Sequence, residues 1–216
     1  MLEDEGRKSE SGEQKGLDRI LALSDGVFAF AITLLVLSLT VPPLRGARTS
    51  LNLILSLSTM SNAFFSYALS FFVIGIWWFA HHRLFRYIVK YDTALMWRNL
   101  FFLLFVTIVP FLTQLLGQYG DILITVVIYD AVQMIGGLVL AEVWNYATTH
   151  RLIDIKVLTP SQIRNIRLRG LVPSFTFLAA IGVSALFSIV GISPSAANLT
   201  LFAMFPLLRI SEKRQK

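Results

Sequence analysis

Apolar residues along this chain run in long blocks separated by short charged connections. Six such blocks can be read, at roughly 17–41, 55–80, 96–117, 120–147, 170–190 and 194–209. Most approach the roughly 20 residues that a helix needs to cross the hydrocarbon core. Their edges carry breakers. Pro42-Pro43 stops the first, His81-His82-Arg83 closes the second, and Gly117 and Gly120 make the turn after the third. Pro110 lies inside the third block and removes one backbone hydrogen bond there, while Gly136-Gly137 marks the fourth. Ser193-Pro194-Ser195 separates the last two. The pattern predicts an all-α membrane protein with six transmembrane helices per subunit, occupying residues 17–210. The polar stretch 1–16 reads as a disordered cytoplasmic tail without a cleavable signal peptide, and 211–216 as a basic cytoplasmic end.

Composition agrees. The 216 residues are 55% hydrophobic and 15% charged, against the roughly 25% charged residues of soluble domains. Mean hydropathy is +0.67. Without cysteine there are no disulfides and no thiolate metal sites. The net charge of +6 does not imply nucleic acid, because the basic residues border apolar blocks instead of forming a patch. They also set an orientation. Of the 19 Lys and Arg, all but Arg45 and Arg48 fall on one side of a six-span topology. By the positive-inside rule that side is cytoplasmic, so both termini are expected there, in a multi-pass protein of the cell membrane.

Enzyme signatures are missing: the sequence has no P-loop, nucleophile elbow, H-E-x-x-H or dinucleotide glycine turn. His81 and His82 diverge by about 100° on a helix and cannot share a metal, and His150 is expected in a loop. Neither a metal nor a cofactor is called for. Asp130 and Glu142, intramembrane acids twelve residues apart, are separated by about 18 Å along an axis, too far for a direct proton relay, and Glu142, near the cytoplasmic end, has Arg151 or Arg164 as its expected partner. A secondary transporter using Asp130, Glu142 and His81 would need repeated halves, which the sequence does not display. A membrane scaffold that transports nothing is the other alternative.

The most informative block is Arg19 to Val41, RILALSDGVFAFAITLLVLSLTV. At 100° per residue, Gly26, Phe30, Thr33, Leu34, Leu37 and Val41 cluster on one stripe, with Asp25 about 140° from Phe30. An acid near a membrane helix needs a partner or water, and its phase off the stripe marks Asp25 as structural. The stripe taken alone reads as ordinary helix packing more readily than as a pore lining.

Arg19-x-x-x-Leu23-Ser24-Asp25-Gly26 resembles the R-x-x-x-F-S-D signature of the transmembrane-protein-175 family, the lysosomal-type potassium channels and their bacterial relatives. The following VFAFAITLLVLSL resembles the first helix of the bacterial members. Leu23 replaces the usual Phe of the signature, and Phe30 stands where Ile or Leu is usual. The resemblance implies a potassium-selective channel, favouring potassium over sodium, built as a homotetramer in the lipid bilayer. The first helices would line a central pore with no P-loop filter, and the sequence has no T-V-G-Y-G run. It further implies Phe30 at the narrowest constriction, a hydrophobic gate, with Thr33, Leu34 and Leu37 following it. Trp78, one of His81 and His82, and Asn99 match the residues that pair with Arg19, Ser24 and Asp25 in an inter-helix polar network.

Overall fold

A computed structural model describes residues 2–44, 46–154 and 157–203. Among these, every regular element is helical, apart from one isolated bridge between Ile88 and Ile153. The helices are α1 (Leu2–Leu34), α2 (Ser50–Ser58), α3 (Ser61–Phe85), α4 (Thr93–Tyr119), α5 (Leu123–Thr149) and α6 (Pro160–Ile189). A 3₁₀ turn, Leu35–Ser38, continues α1, and a 3₁₀ segment, Pro194–Ala203, follows α6. Among the described residues five stretches are long and apolar enough to cross a membrane: Gly12–Ser38, Ser61–Phe85, Thr93–Tyr119, Leu123–Thr149 and Pro160–Ile189. The chain is a multi-pass membrane protein.

Four boundaries differ from the sequence expectation. Residues 2–16, expected as a disordered tail, are helical and continuous with α1. The first span ends its α-helical geometry at Leu34, not at Val41, tightening to 3₁₀ before the two prolines. The expected 55–80 block divides into α2 and α3 at Thr59-Met60. The sixth block, 194–209, begins as a 3₁₀ segment, and its remainder from 204 lies outside the described residues.

Caps explain where the other helices start. Asp92 accepts the Leu95 backbone N–H at 2.7 Å to open α4, and its second oxygen accepts the Tyr146 hydroxyl at 2.8 Å. Burial works against this carboxylate's charge, yet the Leu95 amide and the Tyr146 hydroxyl hold its pKa below the ordinary value. Thr159 and Gln162 form a reciprocal capping box with Pro160 in the first turn, so α6 starts ten residues before the apolar block at 170. Pro110 and Pro173 sit inside α4 and α6, which run through them.

Two apolar clusters hold the bundle. One joins α1 to α3, α4 and α5 through Phe28, Ala31, Leu35, Trp77, Phe102 and Val106. The other lies among α3, α4, α5, α6 and the last 3₁₀ segment, through Leu69, Leu116, Tyr129, Phe177 and Leu201. Gly136 and Gly137 are close-approach positions. A Cβ at 136 would collide with the Trp77 indole and one at 137 with the Ser174 hydroxyl, so α5 can lie tight against α3 and α6 only with glycine there.

Candidate functional site

α1 has a packed face and an open face. Leu17, Ile20, Ser24, Phe28, Ala31 and Leu35 recur at three- and four-residue spacing and are all buried. On ideal stepping Thr33 lies about 180° and Phe30 about 240° from Ser24, so these two occupy the opposite side. Gly26, Phe30, Thr33 and Leu37 are exposed there and Leu34 is half-buried. Phe30 is 66% and Leu37 71% exposed, large values for side chains of this size. An open apolar groove of about 560 Å³ runs along this side, between Leu23, Gly26, Phe30 and Leu34 of α1 and Thr107 of α4. The Thr33 hydroxyl donates to the Phe30 carbonyl at 2.9 Å. Its proton is thereby engaged within the helix, and the oxygen lone pairs remain to face whatever lies beyond the open face.

Behind this face sits a polar anchor. Asn99 of α4 donates through Nδ2 to Ser24 Oγ at 3.0 Å, and its Oδ1 meets His81 Nε2 of α3 at 2.8 Å. Ser24 in turn donates to the Ile20 carbonyl at 2.9 Å. All three side chains are buried, so each link replaces a hydrogen bond that neither lipid nor solvent supplies. The His81 ring is stacked on Phe85 at 4.3 Å and on Phe102 at 5.8 Å between centroids. One turn of phase away, Trp78 donates its indole N–H to Asp25 Oδ1 at 2.8 Å. These two short chains of hydrogen bonds tie three helices together at one level.

The structure therefore gathers Ser24, His81 and Asn99 in one network and Asp25 with Trp78 in a neighbouring pair. His81 is the histidine that joins. His82 is exposed and stacks on Trp78 at 5.7 Å. Arg19 is exposed and, among the described residues, pairs with no carboxylate. Asp25 is itself exposed on the single chain, because it sits on the flank of α1 between the two faces.

A second polar cluster escaped the sequence reading. Thr113 donates to Ser70 Oγ at 2.7 Å, and Ser70 meets the Tyr129 hydroxyl at 2.9 Å, joining α3, α4 and α5. The adjacent Asp130, fully buried, faces the Asn198 side chain, which reaches both carboxylate oxygens at 3.2 Å once its amide is turned. Ser66 and Ser70, one turn apart in an aromatic-rich segment, were the available signal for a polar interior face. Glu142 pairs with neither Arg151 nor Arg164. It lies 4.0 Å from Arg98, whose guanidinium covers the Tyr146 ring at 3.8 Å. His81, Asp130 and Glu142 thus have three separate sets of partners and form no chain of stepping stones. Among the described residues no group of His, Asp and Glu could hold a metal ion.

Comparison with known proteins gives this geometry a context. Residues 19–110 match the sequence profile described as "Endosomal/lysosomal potassium channel TMEM175". A potassium channel of Streptomyces collinus is 34% identical over 171 residues, covering 77% of this chain and 81% of the relative. A potassium channel of Chamaesiphon minutus is 36% identical over 143 residues, covering 65% of this chain and 70% of the relative. The crystal structure of a lysosomal potassium-selective channel TMEM175 homolog from Chamaesiphon minutus superposes with a TM-score of 0.74 at 28% identity, across 89% of this chain and 97% of that one. With a profile that spans the signature, α3 and two-thirds of α4, and a relative matched over four-fifths of its length, the chain belongs to the TMEM175 family.

Proposed function

We propose that this protein is a potassium channel, favouring potassium over sodium, and not an enzyme, in which four copies place α1 around a common axis. The observation that carries the reading is the open face of α1. A helix whose other side is packed against α3 and α4 presents Phe30, Thr33 and Leu37 outward, and in a channel assembly this face turns to the neighbouring copies and the ion path. A single bundle of this kind encloses no central path, so conduction requires several copies, and the groove beside Phe30 offers a seat for a neighbour's helix. Phe30 stands at the narrowest point as a hydrophobic gate. Thr33 follows with its oxygen available to a cation, and Leu34 and Leu37 continue the wall. No carbonyl filter exists in the sequence, so selectivity arises where the apolar constriction dehydrates the ion.

In this reading the Ser24–Asn99–His81 network and the Asp25–Trp78 pair position α1 and do not touch the ion. In the same reading the chain crosses six times, both termini are cytoplasmic, and the protein resides in the cell membrane. The test is ion flux from purified protein in liposomes, with oligomeric state measured on the same preparation. Potassium flux above that of empty liposomes and above sodium flux, from a tetramer, is the expected result. Verified tetramers that pass neither ion, or both equally, overturn it.

A further inference from the structure

Between the end of α3 and the start of α6 lies a cavity of about 210 Å³ that plays no part in the reading above. Its charged lining is Arg83, Arg86 and Arg169, and no carboxylate is among its lining residues. Guanidinium groups remain protonated under all ordinary conditions, so three positive charges converge on one small space. Arg83 and Arg169 each make a further interaction elsewhere. Arg86 is exposed, and its guanidinium stands 5.6 Å from the centre of the Tyr87 ring, which also borders the cavity.

The remaining lining completes a set of donors on an apolar floor. Leu158 and Ile166 are buried beneath it. Gln162 has its carbonyl oxygen occupied by the Thr159 backbone N–H and hydroxyl, at 2.8 and 3.0 Å. Its amide N–H groups are therefore what it has left to offer the cavity. A space with three forked cations, one amide donor and no anionic lining suits a tetrahedral oxyanion that accepts several charge-assisted hydrogen bonds. Size narrows the choice. Pockets for whole drug-sized ligands run from roughly 300 to 1,000 Å³, so this one admits a phosphate group with its immediate linkage and not a nucleotide.

The position adds a physical reason. Arg83 and Arg86 follow directly on an apolar span, at the level where aromatic and basic side chains meet lipid headgroups. Arg169 lies ten residues into α6, where the polar opening turns of that helix give way to the apolar block. The connection that follows α3 is already tied to the one that leads into α6 by the Asp154 N–H donating to the Tyr87 carbonyl at 3.1 Å. An anion bridging Arg86 and Arg169 would fasten α3 to α6 a second time.

We propose that this arginine-lined cavity binds the phosphate group of an anionic ligand, supplied by an acidic lipid headgroup or by phosphate in solution. The test uses the full-length protein in detergent. Its melting temperature is followed by tryptophan fluorescence, and adducts are counted by native mass spectrometry, so ion conduction plays no part in the readout. The probes are dioctanoyl phosphatidic acid, inorganic phosphate, and dioctanoyl phosphatidylcholine as the neutral control, at one ionic strength set with chloride. Wild type is compared with Arg86→Gln/Arg169→Gln and with Arg167→Gln, which removes one positive charge from an exposed residue outside the cavity.

The expected result is a rise in melting temperature with a phosphate-bearing probe. The double variant should bind that probe at least about tenfold more weakly, the scale of one lost charge-assisted hydrogen bond, and Arg167→Gln should bind as wild type does. A response to phosphatidic acid alone makes lipid the source. A response to inorganic phosphate, with or without the lipid, makes the phosphate group itself sufficient. No response to either probe, or equal binding by wild type and a double variant that keeps the wild-type size-exclusion profile, overturns the proposal.

Discussion

Phe28 and Phe30 are the same residue two positions apart on one helix, and they meet opposite fates. Phe28 is 1% exposed, set against the His81 and Phe102 rings, while Phe30 is 66% exposed. Leu35 and Leu37 repeat the contrast about two turns later, at 0% and 71%. Hydrophobicity cannot distinguish the members of either pair. What separates them is the company each keeps at helical spacing. On the packed face Ser24 and Ala31 are small enough to let α3 and α4 approach, and Ser24 carries the hydroxyl that Asn99 requires. On the open face Gly26 and Thr33 flank Phe30, and no element among the described residues covers it. The packed face thus buries its apolar surface inside one subunit, and the open face is the one that the proposed assembly turns to other copies and to the pore.

The largest test of that contrast is to polarise each phenylalanine in turn. Phe30→Asn should fold and assemble as wild type does, because nothing among the described residues covers residue 30. Its amide would hydrate the constriction, and potassium flux should rise by about tenfold or more, equivalent to roughly 1.4 kcal/mol off the barrier, with weaker preference over sodium. Phe28→Asn should instead unfold the α1 packing, at a cost of about 3–5 kcal/mol for losing a buried aromatic. Proteoliposome flux and thermal melting on both variants decide it. Unchanged flux in correctly assembled Phe30→Asn protein would shift the constriction to Leu34 or Leu37.

A second test strikes the anchor from behind. Asn99→Leu leaves both Ser24 Oγ and His81 Nε2 without their cross-helix partner. Each buried group left unsatisfied costs about 1–3 kcal/mol. The expected outcome is a lower melting temperature and loss of the oligomer on size exclusion, with unchanged ion selectivity in whatever assembles. Altered selectivity with normal melting would place Asn99 on the ion path and dissolve the distinction between the two faces.

How much of this was legible in the chain depends on how far each partner lies along it. The apolar blocks, the stripe and the signature around Ser24-Asp25 are local, and they could be read directly. Which of two adjacent histidines turns inward could not, because neighbours on a helix differ by about 100° and only the placement of α4 selects between them. Glu142 shows the same limit. The arginines just beyond its own helix were the natural candidates, whereas its neighbour Arg98 comes from α4, brought alongside by packing. Asp130 had no visible partner because Asn198 lies in the segment after α6. The helical start at Leu2 was overlooked for a different reason: a polar stretch offers no apolar periodicity.

The finest test stays within the open face and asks what Thr33 adds to it. Its hydroxyl proton is engaged by the Phe30 carbonyl at 2.9 Å, so only its oxygen can serve an ion. A hydroxyl bonded to its own helix contributes little to folding, and residue 33 is exposed on the single chain, so Thr33→Ala should melt and assemble as wild type does. What changes is a ring of weak oxygen ligands one turn from the constriction. Losing it should lower the potassium-over-sodium flux ratio by roughly 2- to 5-fold, the effect of about 0.5–1 kcal/mol in relative ion binding, while the total flux set by Phe30 stays near its wild-type value. Thr33→Ser, which keeps the oxygen, should retain the wild-type ratio. If Thr33→Ala and wild type discriminate equally, the ion meets no ligand at this level, and the open face of α1 acts through its apolar constriction alone.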